Sequence, residues 1–421
     1  MRRIIVQKFG GTSVADTDKI KNVARVVIKE KNNGNDVVVV VSAMGHTTDY
    51  LVKMAKEISK VPSGREMDML LSTGEGVSIA LLTMAIQAEG YDAISYNAMQ
   101  VGIMTENVHS KARIVKIETE KLKRSLNEGK IIVVAGFQGV TEDGEITTLG
   151  RGGSDTSAVA LAAALNAARC DIYTDVEGVY TTDPRVVPNA TRLNEISYEE
   201  MLELAHAGAN VLHPRSVETA KLNNVPLRVR SSFKTDDLGT LILGVEKMEI
   251  DRPVTGVAAD LSQTRVVVCD VPDIPGKAAG IFTKLAQENI SVDMIIQSYA
   301  RKISHTNDIA FTIDSADTDK TIATLNSIKE ELKCGEIQVD TEIAKVSIVG
   351  AGMIDRPGIA SSMFDTLARL GINIKMISTS EIKISCLVAK EDANKAVKAL
   401  HSEFKLAGDV VADVKGDLPD V

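Results

Sequence analysis

The chain has no tryptophan, and aromatic residues make up only 3% of its 421 positions, so its cores must be built from aliphatic side chains. Cysteine is scarce as well: Cys170, Cys269, Cys334 and Cys386 stand far apart with no Cys-x-x-Cys pair. They read as reduced structural thiols, which fits a cytoplasmic protein. The six histidines show no metal-ligand spacing, and no Gly-x-Ser-x-Gly elbow anchors a serine nucleophile. The opening MRRIIVQKFGG carries three consecutive apolar residues, too few for a signal-peptide core. No stretch approaches the roughly 18 apolar residues of a membrane helix. Positive charge is also in deficit, since the formal net charge is −9, which argues against a nucleic-acid partner. An anionic ligand must therefore be held by local Lys, Arg and backbone N–H groups. Neither a G-x-x-x-x-G-K-[ST] phosphate loop nor a G-x-G-x-x-G turn after a strand is present.

What is present is a soluble globular composition, 44% hydrophobic and 25% charged, in a chain long enough for two or three domains. Up to about residue 235, short apolar runs alternate with helical patterns. RIIVQKF, DVVVVVSAM, KIIVVAGF and CDIYTDV read as strands buried on both faces of a parallel sheet. Asp16 to Lys31 places Ile20, Val23, Ala24, Val27 and Ile28 on one helical face. EGVSIALLTMAIQAEG and SDTSAVALAAALNAA read as further helices. This alternation predicts an α/β domain with helices on both sides of the sheet, whose ligands bind beyond the carboxyl ends of the strands. The glycine-rich and charged clusters KFGGTS, SAMGHTTD, GRGGSD and TDVEGVYTTDPR all fall at strand ends or helix starts.

In LGRGGSDTSAVALAAAL, Gly152 and Gly153 allow close backbone approach, and Ser154 or Asp155 is expected to cap a helix over 156–168. An uncompensated helix N-terminus beside Arg151 suits a carboxylate or phosphate. Basic residues beside glycines, with carboxylates nearby, form a phosphoryl-transfer inventory. The C-terminal part contains a repeat. DIPGKAAGIFTKLAQENISVDMI (Asp273–Ile295) aligns without a gap on DRPGIASSMFDTLARLGINIKMI (Asp355–Ile377), 82 residues later, with ten identities in 23. Two copies with this period predict two similar small domains, each running strand, Asp-x-Pro-Gly turn, helix, strand.

KFGGTSVAD, VVSAMGHTTD, STGE, TTLGRGGSD, YTDVEGVYTTDPR and the tandem repeat, in this order over nearly the whole chain, resemble the aspartokinase family. The resemblance implies an amino-acid-kinase domain over 1–245, a three-layer αβα sandwich with a mostly parallel sheet. Two α+β ferredoxin-like ACT domains are implied over 255–340 and 341–421. The implied activity is phosphoryl transfer from ATP, carried with Mg2+, to the side-chain carboxylate of L-aspartate, the first step towards lysine, threonine and methionine. Catalysis falls on Lys8, Arg151 and Asp155, and aspartate binding on Thr48, Glu75, Phe137, Arg151 and Ser154. Nucleotide contacts fall on Lys8, Phe9, Gly10, Gly11, Ser42, Thr174, Asp175, Tyr180, Asp183 and Arg185. No protein cage for a metal is expected.

By the same resemblance, lysine or threonine or both act at the ACT domains. The candidate contacts are Asp273, Val292, Asp293 and Gln297 in the first repeat, and Ile359, Ala360, Asn373, Ile374, Ser380 and Glu381 in the second. A homo-oligomer formed through ACT pairing is implied, and Met248 is either the start of a shorter regulatory chain or an ordinary linker methionine. One departure from the family is Asn210, where many relatives carry a lysine that contacts ATP; Arg215 is the nearby cation for compensation. Two other functions stay open from the sequence: a kinase for another amino-acid carboxylate, which a free-ammonium partner at Glu75 disfavours, and an amino-acid sensor without catalysis.

Overall fold

A computed structural model describes residues 2–209, 211–244, 252–298, 305–354 and 356–408. Asn210, Met248 and Asp355 lie outside the described residues. The chain divides into two compact units, one of residues 1–180, 192–206 and 210–249, the other of 181–191, 207–209 and 250–421.

The first unit begins with β1 (Ile4–Phe9), α1 (Thr17–Asn32) and β2 (Asp36–Val41). Asp16 caps α1 by accepting from the Lys19 N–H at 2.8 Å, which explains the helix start the periodicity predicts. There follow α2 (Thr47–Ile58), α3 (Gly64–Leu71), α4 (Thr73–Ala88) and β3 (Ala93–Tyr96). Next come α5 (Ala98–Val101), β4 (Ile103–Thr105), β5 (Ile114–Ile117), α6 (Glu120–Asn127), β6 (Ile131–Ala135), β7 (Gln138–Val140) and β8 (Ile146–Thr148). The unit continues through α7 (Gly153–Ala164), β9 (Arg169–Thr174), β10 (Glu195–Ser197), α8 (Tyr198–His206), α9 (Pro214–Asn223), β11 (Leu227–Ser231) and β12 (Thr240–Leu243).

Eight of these strands form one sheet in the order β10-β12-β11-β9-β1-β2-β6-β3, parallel except for the β11–β12 pair. On one face Phe9, Val37, Val39, Val41, Ile131 and Val133 pack against Ile20, Val23 and Val27 of α1 and Ile79, Leu82 and Ile86 of α4. The opposite face of β1, β2 and β9 is covered by α7. The three-layer αβα fold is thereby in place. The chain moves from β1 to β2 on one side and reaches β9 on the other, so the carboxyl ends of β1 and β9 flank a topological switch point, where open α/β sheets bind ligands.

Three points add to the sequence expectations or change them. Gly64–Ala88, spanning α3 and α4, is long and apolar enough by length and composition to cross a membrane, although no unbroken apolar run marks it. In the fold α4 is a core helix, with Leu82 and Ile86 wholly buried against the sheet. The helix after the GRGGSD turn starts at Gly153, not at residue 156, and ends at Ala164. Its cap is Gly152 in the left-handed region (φ +70°), with no side-chain capping bond, so Ser154 and Asp155 sit inside the first turn. A small sheet β5-β4-β7-β8, which no run of the sequence advertised, also belongs to this unit.

In the second unit β13 (Gly256–Asp260) precedes β14 (Gln263–Pro272), α10 (Lys277–Gln287), β15 (Val292–Gln297), β16 (Thr306–Asp314), α11 (Thr318–Leu332) and β17 (Ile337–Asp340). The second repeat then gives β18 (Ile343–Val349), α12 (Ile359–Arg369), β19 (Met376–Thr379), β20 (Lys383–Ala389) and α13 (Ala393–Glu403). The sheets are β15-β16-β14-β17 and β13-β18-β20-β19, and all their pairings are antiparallel. The fourth strand of the first repeat is its own β17, while the equivalent edge of the second sheet is supplied by β13 from before the first repeat. Gly256–Asp260 therefore stands in the sheet of the second repeat. Both Asp-x-Pro-Gly turns close on a left-handed glycine that caps the next helix, Gly276 (φ +95°) before α10 and Gly358 (φ +99°) before α12. The sequence repeat is thus a repeat of backbone conformation. All four cysteines are free thiols.

Candidate active site

Alternation along β1 sends Phe9 into the α1/α4 core and Lys8 to the opposite face, under α7. There the Lys8 Nζ meets Asp155 Oδ1 at 2.6 Å, with both side chains almost out of solvent. Phe9 is wholly buried and stacks on Tyr173 of β9 with ring centroids 4.5 Å apart. Its side chain is a core residue, so the ring is not available for the nucleotide contact expected at this position. A 3₁₀ turn, Gly11–Val14, follows at once. A Cβ on Gly11 would lie 2.8 Å from the Ala43 carbonyl oxygen and 3.0 Å from that of Gly45. Glycine is what allows the loops after β1 and β2 to close on each other at the sheet edge. Ser42, immediately beyond β2, donates its N–H to the Phe9 carbonyl at 3.1 Å.

Glu75 lies in the first turn of α4 and is 2% exposed. It accepts from the Ala43 N–H at 3.2 Å and from Gln138 Nε2 at 3.4 Å. Burial dominates these bonds and pushes its carboxyl up to about 7. Among the described residues no cation pairs with it, and a buried carboxylate of this kind is the complement of a ligand ammonium. Thr48 stands in the first turn of α2, beside the same loop. Gly74 fixes the approach of α4, since a Cβ there would lie 2.8 Å from Ala43 Cβ.

Phe137, after β6, holds a left-handed backbone (φ +68°), and its N–H donates to Ser157 Oγ at 3.1 Å. That conformation is costly for an aromatic residue and persists where the surroundings impose it. Ser154 is nearly buried against Gly136, where a Cβ would come within 2.8 Å of the serine side chain. Arg151 is exposed in the turn before α7.

The residues expected to contact the nucleotide occur in both units. Thr174, at the end of β9, donates from Oγ1 to Asp175 Oδ1 at 3.0 Å, and Tyr180 forms a bridge with Arg192; all of these lie in the first unit. Asp183 and Arg185 pack with the second unit, where the Arg185 Nη2 donates to Asp183 Oδ2 at 2.7 Å and holds that carboxyl below its ordinary value.

Sequence reasoning passed over several contributors. The His213 ring lies against Gly152, where a Cβ would come within 2.3 Å of it, and burial lowers its pKa. Gln138 was missed because a lone glutamine after a strand carries no motif. Arg215, expected as a spare cation near Asn210, donates from Nη1 to the Leu149 carbonyl at 2.9 Å and from Nη2 to the Ala112 carbonyl at 2.7 Å. Its guanidinium is therefore occupied by the backbone. Among the described residues no group of three or more His, Cys, Asp or Glu side chains forms a metal cage.

A parallel sheet whose carboxyl edge gathers a lysine, glycine N–H groups, a helix N-terminus and an ammonium-receptive carboxylate, followed by two ACT domains, defines an amino-acid kinase with a regulatory region. The amino acid kinase family model matches residues 3–231, and an ACT-domain model matches 266–328 and 346–404. An aspartokinase of Bacillus sp. (strain MGA3) is 57% identical over 408 residues, 97% of this chain and 98% of that protein. Of solved structures, E. coli aspartokinase III in complex with aspartate and ADP (R-state) superposes with a TM-score of 0.83 at 31% identity, covering 95% of this chain and 99% of that one. The same enzyme in complex with lysine and aspartate (T-state) superposes at 0.74, with the same identity and coverage. The chain belongs to the aspartokinase family.

Proposed function

We propose that this chain transfers the γ-phosphoryl group of ATP to the side-chain carboxylate of L-aspartate, giving 4-phospho-L-aspartate and ADP. The observation that carries the reading is the Lys8–Asp155 pair at 2.6 Å under the mouth of α7, with buried Glu75 on the same sheet edge. An aspartate side chain, with an ordinary pKa of about 3.9, is ionised at neutral pH, so no general base is required. A carboxylate oxygen attacks the γ-phosphorus and the bond to the bridging oxygen of ADP breaks. The obstacle is the approach of one anion to another, and it is relieved by fixed cations and N–H donors. Lys8 and the Gly10 and Gly11 N–H groups neutralise the transferring phosphoryl group. Arg151 and Ser154 hold the substrate's α-carboxylate, and Glu75 takes its ammonium, with Thr48 and Phe137 lining the site. Ser42, Thr174, Asp175, Tyr180, Asp183 and Arg185 serve the nucleotide.

Asp155 is a single, mostly covered carboxylate, which suits a magnesium ion delivered on the nucleotide and not a protein-caged one. When bound, that ion supplies charge neutralisation across the phosphates. Asp155 also holds the Lys8 ammonium in place through their 2.6 Å contact.

Buried Glu75 also separates the substrate classes: an N-acylated acid offers it no cation and would leave a desolvated carboxylate unpaired. Catalysis belongs to residues 1–245 and regulation to the two ACT domains. The lysine complex of E. coli aspartokinase III supports lysine as an effector, with threonine as the second candidate. Asp273, Val292, Asp293 and Gln297, and Ile359, Ala360, Asn373, Ile374, Ser380 and Glu381, are the contacts to test. Asp293 pairs with Lys345 at 2.5 Å. We further infer a cytoplasmic homo-oligomer. A hydroxamate assay with Mg-ATP and L-aspartate, titrated with lysine and threonine, tests the whole reading. Absence of an acyl-phosphate signal at millimolar aspartate would leave the amino-acid sensor in its place.

A further inference from the structure

The turn that presents Arg151 is short of side chains, since Gly150, Gly152 and Gly153 flank it, and Gly150 and Gly152 both have positive φ. Such a turn has many alternative conformations, so something outside it must select one. Two charged side chains grip the chain just before it, from opposite directions in sequence.

One is Asp68 of α3, wholly buried. It accepts from Thr148 Oγ1 at 2.6 Å, from the Ser110 N–H at 3.0 Å and from His109 Nδ1 at 2.8 Å. The Ala112 N–H then donates to the Thr148 carbonyl at 3.0 Å, tying the loop 109–112 to the end of β8. The other is Arg215, the second residue of α9, whose two bonds to the Leu149 and Ala112 carbonyls cross that same junction. Leu149 is two residues before Arg151, and its own N–H is taken by the Phe137 carbonyl at 2.9 Å. His213, capping α9, blocks Gly152 from the other end of the turn. Both bonding nitrogens of the guanidinium go to carbonyls, and only a planar fork reaches two chain segments at once.

We propose that Arg215 is a positioning residue for the substrate carboxylate: it fixes Leu149 and Ala112 so that the glycine turn holds Arg151 in its binding orientation. The proposal rests on the reading that Arg151 holds aspartate. A displacement of about 1 Å in a positioning element costs up to about 100-fold, so the effect falls on aspartate and not on ATP.

The test compares Arg215→Lys, Arg215→Met, Arg151→Ala and the Arg151→Ala/Arg215→Met double variant in the full chain. Steady-state KM values for aspartate and ATP are measured, and thermal unfolding monitors folding. Arg215→Met is expected to raise the aspartate KM about 10- to 100-fold, with the ATP KM within about twofold. Arg215→Lys, able to keep one bond, should fall between Arg215→Met and the native enzyme. In the Arg151→Ala background the Met substitution should add less than about twofold, because a residue acting through another is silent once that other is gone.

A native aspartate KM in folded Arg215→Lys and Arg215→Met overturns the proposal, as does a parallel rise in both KM values or full additivity with Arg151→Ala. Loss of the cooperative unfolding transition in both Arg215 variants also overturns it, since Arg215 would then be a stability residue. An unchanged aspartate KM in Arg151→Ala alone refutes the underlying assignment of Arg151 and is read separately.

Discussion

The raised carboxyl of Glu75 makes aspartate capture depend on pH in a calculable way. Its pKa moves from 4.5 to about 7, chiefly through burial. At about 1.4 kcal/mol per unit, the protein disfavours the ionised form by roughly 3 kcal/mol until a cation arrives. The kcat/KM for aspartate reports the free enzyme. Only the ionised fraction, about one eleventh at pH 6 and about ten elevenths at pH 8, binds an ammonium, so kcat/KM should rise about tenfold over that range. The kcat at saturating aspartate should stay flat there, because the bound ammonium lowers the pKa again. Glu75→Gln should abolish the inflection and raise the aspartate KM about 10- to 100-fold, the worth of a charged hydrogen bond.

Stability carries the opposite sign. A carboxyl whose folded pKa is raised contributes stability below about 4.5, and that contribution is lost as pH rises through about 7. Glu75→Gln should therefore raise the thermal midpoint at pH 8 more than at pH 5. A kcat/KM flat between pH 6 and 8, or an inflection that survives in Glu75→Gln, refutes the reasoning. Burial lowers the pKa of His213 below its ordinary value.

Lys8→Ala should lower kcat by about 10²- to 10³-fold, the usual consequence of removing one transition-state charge stabiliser, and a change confined to KM would contradict its role. Gly152→Ala places a Cβ 2.3 Å from the His213 ring at φ +70°, so calorimetry should show a loss of about 1–3 kcal/mol together with a weaker grip on aspartate. Asp171 is wholly buried between Arg169, at 2.9 Å, and Arg230, at 3.7 Å. Asp171→Asn should therefore cost about 3–5 kcal/mol in denaturant unfolding, because buried arginine charge loses its partner.

Local periodicity determined much of this protein. The apolar runs that became β1, β2, β6 and β9, the helical face of α1 with its Asp16 cap, and the two Asp-x-Pro-Gly turns were readable because each depends on neighbours within a few residues in sequence. The glycine clusters marked the sheet edge where the site lies. Pairings between distant segments were decided by the tertiary structure. Lys8 and Asp155 meet because β1 and α7 share a sheet face, and Glu75 acquires its pKa only once α4 closes over Ala43. Phe9 ends the RIIVQKF run and was expected to contact the nucleotide, yet the alternation of β1 and the ring of Tyr173 place its side chain in the core. The exchange of β13 into the second ACT sheet left no mark on the repeat, because an edge strand is chosen by the partner left open to it and not by its own sequence. The same holds for Arg215: its charge was legible as a cation near the nucleotide, but the two carbonyls that occupy it come from loops assembled by α3, β8 and α9.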